Sequence, residues 1–292
     1  MEEQLLVKAA TAPNESLATA AAANSNIYYT QDAKCIKVRG GNFNATFDLK
    51  TGAIKELMHG DNTVFADGNG PKLDAFRAPT DNDAGIGYPN AWFKYGLYNM
   101  EHRVVGKPTV SKLKDGSLQI SLTVESKGKE GCKQNYTNRD RNPQDTYTFN
   151  TDKQPLGKDD LKFATNQIYT IYKDGSVELQ SAISSNRPSV VLPRIGYAMK
   201  LPKTYTTFDY YGRGPVNNYN DRKTGQFIEH HRGIVGKQDI ILPKPQSMGN
   251  REEVRWCALS ENGKPAVVFV ADDNMSVSAL PWSAQQLTLT AH

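Results

Sequence analysis

Gln167-Ile168-Tyr169-Thr170-Ile171-Tyr172, then Lys173-Asp174-Gly175-Ser176, then Val177-Glu178-Leu179-Gln180-Ser181-Ala182-Ile183 is the stretch whose reading decides the fold. Apolar and polar residues alternate on both sides of an Asp-Gly pair, a period-two pattern closed by a turn signal, and this predicts a β-hairpin. Working outward, Val110 to Lys114, Asp115-Gly116 and Leu118 to Val124 repeat that grammar, as do Val254 to Leu259, Glu261 to Lys264 and Ala266 to Val270. Near the start, Tyr28-Tyr29, Cys35 to Val38, Phe43 to Leu49 and Ala53 to Leu57 read as a β-meander. Helical periodicity is confined to Asn90 to Leu97, with Gly96 marking its end. Lys127 to Asp160 is polar and reads as an insertion or a long hairpin connection, with Thr146 to Phe149 a candidate strand. About 15 strands at hairpin spacing predict an all-β protein, a large antiparallel sandwich.

Composition narrows the function. The chain has 292 residues, a formal net charge of +4 and three cysteines, Cys35, Cys132 and Cys257. Its basic residues are scattered, which argues against a nucleic-acid partner, and no apolar run is long enough for a membrane span. The cysteines show neither paired nor zinc-type spacing, and no metal or cofactor is predicted. Compartment is left open. Glu2 to Val7 is a strand-like run and Ala9 to Asn26 a small-residue linker, so the chain divides into residues 1–8, a linker at 9–26 and a sandwich from 27 to 292.

Two motifs are dense in hydrogen-bonding side chains. Tyr210-Tyr211-Gly212-Arg213-Gly214-Pro215-Val216-Asn217-Asn218-Tyr219-Asn220-Asp221-Arg222-Lys223-Thr224-Gly225 reads as a structured loop, with Gly212 and Gly214 free to take positive φ. Its arginines and tyrosines suit either internal ion pairs or a sugar-like ligand. Phe76-Arg77-Ala78-Pro79-Thr80-Asp81-Asn82-Asp83 carries carboxylates at i and i+2. Calcium would need later ligands that are absent, and a glycosidase pair must flank a bond from opposite sides, so loop capping and pairing with Arg213 or Arg222 is the preferred reading. His230-His231 lies on a strand, where neighbours face opposite sides. Trp92, Trp256 and Trp282 are read as core residues, with stacking on sugars the alternative. No nucleophile elbow, phosphate loop or dinucleotide fingerprint is present.

Taken together, Phe76 to Asp83, then Trp92 and Gly96-Leu97, then Tyr211 to Arg222, closely resemble the C-terminal domain of glycoside hydrolase family 2 β-galactosidases. Pro245-Gln246, Gly249-Asn250-Arg251 and Val254-Arg255-Trp256 extend the resemblance in the same order. It implies a galactose mutarotase-like supersandwich without catalytic residues of its own. The catalytic glutamates are implied to lie in an upstream TIM barrel, residues 1–8 to close a preceding immunoglobulin-like domain, and the sandwich to be truncated at its C-terminus. The implied partners are the rest of that polypeptide and, in the whole enzyme, a β-galactoside, with the parent a homo-oligomer. Candidate substrate contacts are Trp92, Arg213 and Tyr219; Arg77, Asp81, Asp83, Arg213, Asp221 and Arg222 are the candidate structural set. The chain departs from the family at Asn217 and Ser247, where a Glu is common. Both losses argue against aldose-epimerase chemistry, one alternative function; a stand-alone carbohydrate-binding module is the other.

Overall fold

The computed structural model describes residues 26–133, 149, 152–237, 246–261 and 267–289. The expected strand at 1–8, most of its linker, most of the strand at Thr146 to Phe149 and the turn at 262–264 lie outside those residues.

Seventeen strands, all antiparallel, form the described structure. The meander is present as β1 (Tyr28–Gln31), β2 (Cys35–Arg39), β3 (Phe43–Asp48), β4 (Ile54–His59) and β5 (Asn62–Thr63), paired in sequence order. Beside it β7 (Met100–Lys112), β8 (Leu118–Gly128), β11 (Lys162–Ile171) and β12 (Val177–Ser185) form a sheet of order β12-β11-β8-β7. Both Asp-Gly signals build the same turn. Gly116 and Gly175 each sit at φ 88°, where only glycine is unstrained. Each preceding aspartate, Asp115 or Asp174, accepts hydrogen bonds from the backbone N–H and hydroxyl of the serine that follows the glycine.

Alternation buries one face of each sheet against the other. Ile36, Val38, Phe43, Ala45 and Phe47 of the meander meet Leu118, Ile120, Leu122, Val124, Tyr169 and Ile171, and the Phe47 and Tyr169 rings pack edge to face at 5.1 Å. This shared core makes the pair a sandwich. Two short ladders, β6 (Lys72–Asp74) with β13 (Gly196–Ala198) and β9 (Glu130–Gly131) with β10 (Gln154–Pro155), link its margins.

The last sheet has the order β15-β14-β16-β17, from β14 (Thr207–Gly214), β15 (Phe227–Ile234), β16 (Asn250–Ser260) and β17 (Val267–Ser278). Here the expectation of a loop from Tyr210 is corrected, because Tyr210 to Gly214 is the end of a strand. Gly212 and Gly214 are extended, not left-handed. They are glycines because space demands it: a Cβ on Gly212 would stand 2.8 Å from the Val254 Cα, and one on Gly214 would stand 2.2 Å from the Tyr210 hydroxyl. A second correction concerns Asp81 to Ile86, which is a short helix, α1. After Gly87, at φ 81°, comes α2 (Tyr88–Lys94), and Gly96 at φ 63° follows its end as expected. A third helix, α3, spans Ala284–Leu289.

Candidate functional site

The two dense motifs meet through the backbone around Ser247. Its N–H donates to the Ala78 carbonyl at 3.3 Å, and its carbonyl accepts from the Tyr219 hydroxyl at 3.2 Å. The charges, however, pair otherwise than expected. Asp83 receives Arg77 Nη2 at 2.8 Å, a partner six residues away in its own motif. The same carboxylate accepts from the Thr80 backbone N–H at 2.8 Å and hydroxyl at 2.9 Å, while Thr80 Oγ1 accepts from the Asp83 N–H, a capping box that starts α1. Asp83 is thus consumed where it stands, by Arg77 and not by the expected Arg213 or Arg222.

Arg213 is 8% exposed. It donates to Glu253 through Nε and to the Gln226 carbonyl through Nη1 at 2.7 Å. Glu253 reaches it from a bulged part of β16, where its φ is 54°. The hydrogen bond from Arg213 holds the Glu253 carboxyl below its usual range. Arg222 lies over the Tyr219 ring at 5.3 Å. Burial pushes the Tyr219 hydroxyl up, opposed by hydrogen bonding and by the fields of Arg222 and Arg77. Arg77 also sits over Trp92 at 5.7 Å and donates to the Pro193 carbonyl.

Trp92 is 1% exposed and donates its indole N–H to the Val191 carbonyl at 2.8 Å, so it offers no face to a sugar. Asn218 is fully buried and satisfied: its amide donates to the carbonyls of Arg213 and Val216, and its oxygen accepts from the Glu252 N–H at 2.8 Å. Asn217, 4% exposed, keeps its Oδ1 buried with no partner among the described residues. Asp81, Asp221 and Arg222 lie on the outside. Sequence reasoning expected capping in this loop without assigning it to Thr80, and missed Glu253. The Thr-x-x-Asp spacing was a legible signal for the box; a bulge that turns Glu253 toward β14 has none.

The junction is therefore a rigid polar core with exposed tips on α1 and on the loop after β14. Among the described residues no cluster of three or more His, Cys, Asp or Glu side chains is placed to hold a metal ion.

Residues 39–292 match the family described as β-galactosidase small chain. A β-galactosidase of Priestia megaterium is 25% identical over 274 residues, covering 93% of this chain and 23% of that protein. One from Lactobacillus delbrueckii subsp. bulgaricus is 29% identical over 226 residues, 76% of this chain and 19% of that protein. A third, from Staphylococcus xylosus, is 23% identical over 269 residues, 92% and 24% respectively. The chain thus spans about a quarter or less of the length of these relatives. With the family match running through every described sheet and both dense motifs, the chain belongs to the β-galactosidase small chain family.

Proposed function

We propose that this chain is the non-catalytic C-terminal part of a glycoside hydrolase family 2 β-galactosidase, packing against a catalytic body and helping to wall its sugar site. The observation that supports this best is the junction itself. Arg77, Asp83, Arg213 and Glu253 are bound to one another or to backbone, so they serve rigidity, while Asp81, Asp221 and Arg222 lie on the exposed surface. A glycosidase needs two carboxyls flanking the scissile bond, and Asp83, the buried carboxylate of the first motif, is tied into a helix cap. The barrel and immunoglobulin-like domains, the β-galactoside and a homo-oligomeric parent belong to this proposal.

The test is direct. Purified chain incubated with a chromogenic β-galactoside should release no more chromophore than buffer; turnover that co-purifies with the chain would overturn the non-catalytic assignment.

A further inference from the structure

We infer that the outer face of the β15-β14-β16-β17 sheet carries a contact site for a neutral pyranose, centred on Trp256 and Asp209. Phe208, Tyr210 and Cys257 are buried together on the core side of this sheet, so the residues between them stand on the opposite face. The register places two rows there. One runs His230, Tyr211, Trp256, Val270, and the next Arg232, Asp209, Ala258, Val268. Neighbours within a row are about 5 Å apart and the rows about 7 Å apart, close to the dimensions of a sugar ring.

The chemistry of these rows is specific. Trp256 stands between Tyr211 and Val270, its ring 5.6 Å from that of His230, and Val270 is 65% exposed. Beside it the small Ala258, largely covered at 8% exposed, pairs with Asp209 on one side and Val268 on the other. Asp209 Oδ1 is 3.2 Å from His230 Nε2 and Oδ2 is 3.6 Å from Arg232 Nε. A carboxylate has about four acceptor positions, so these contacts orient it and leave capacity for ligand hydroxyls. Arg232, with a side chain 68% exposed, presents further donors alongside. An oriented carboxylate and guanidinium beside an aromatic and apolar strip match a pyranose, with vicinal hydroxyls on one edge and C–H groups on one face. Because the Asp209 carboxylate is already balanced by the Arg232 guanidinium, the face favours a neutral ligand over a polyanion. None of Arg77, Asp83, Arg213 or Tyr219 takes part, so the site stands independently of the proposed catalytic partnership.

The experiment is a titration of the isotope-labelled chain with galactose, glucose and lactose to about 50 mM, followed by amide and indole NMR signals, with sorbitol as the open-chain control. The Trp256 indole and the Tyr211 and Ala258 amides should shift saturably, with a Kd in the millimolar range. Arg232→Ala and Asp209→Asn should each weaken binding at least about tenfold while leaving the rest of the spectrum in place. Arg232 is exposed enough that its removal will not compromise folding. No shift, a linear response shared with sorbitol, or saturable shifts confined to other surfaces would each overturn the site. So would concentration-dependent broadening of these signals without a sugar response, which would assign the face to a second copy of the chain.

Discussion

Arg213 shows what a cation requires at the centre of this fold. Its guanidinium is nearly out of water, and two of its donors are met by Glu253 and by the Gln226 carbonyl. Glu253 adopts a φ that a side-chain-bearing residue avoids at a cost of about 1 kcal/mol, and the ion pair offsets that strain. Arg213→Ala removes the offset and leaves acceptors unpaired, so a loss of about 2–3 kcal/mol is expected, a Tm drop of roughly 5–10 °C. A melting curve superimposable on the parent would contradict this account. The partner of Arg213 was not legible because it lies 40 residues away on β16 and depends on a bulge, which no local pattern announces. Arg77 is the reverse case: its partner Asp83 is six residues off, and this nearer arginine takes the carboxylate that sequence alone assigned to the remote Arg213 or Arg222.

At the scale of elements, legibility followed the strength of the local signal. The paired hairpins were readable because period-two alternation and an Asp-Gly-Ser turn agree, and the same two side-chain bonds close both turns. Tyr210 to Gly214 was misread because glycine usually reports a turn, whereas here Gly212 and Gly214 report the closeness of Val254, Tyr210 and His231. Helix α1 was missed because six residues carry too little periodicity, leaving only the cap as a signal. That cap sustains the element. Thr80→Ala should cost about 1 kcal/mol, and Asp83→Ala more, about 2–3 kcal/mol, because it also strips Arg77 of its carboxylate. Urea midpoints would order the three proteins. Equal midpoints for the two variants would mean that the Arg77 pair contributes nothing beyond the cap.

For the molecule as a whole, the perturbed groups define a window of pH in which the sandwich is most stable. On the acid side His102, half-buried and with Nδ1 2.9 Å from the buried Ser126 hydroxyl, is pushed down to about 4, chiefly by burial and then by the fields of Lys72 and Lys129. Its folded pKa lies below the unfolded value of 6.5, so the unfolded chain binds the proton first, and stability falls as pH drops from about 6.5 toward 4. His231, lowered by burial, acts in the same direction. Glu253, lowered by its bond to Arg213, loses its contribution as pH falls through the carboxylate range. On the alkaline side burial pushes the Cys257 thiol up to about 12 and raises Tyr98 and Tyr169 as well. These groups ionise first in the unfolded chain, so stability is lost as pH rises past about 9. Melting temperature should therefore form a plateau between about pH 7 and 9 and decline on both sides. His102 sits on β7, the edge strand of its sheet, opposite Ser126 of β8. His102→Gln should flatten the limb between pH 6.5 and 4 by on the order of 1–3 kcal/mol, leaving the alkaline limb unchanged. An acid limb identical to that of the parent would move the origin of the decline from His102 to the carboxylates.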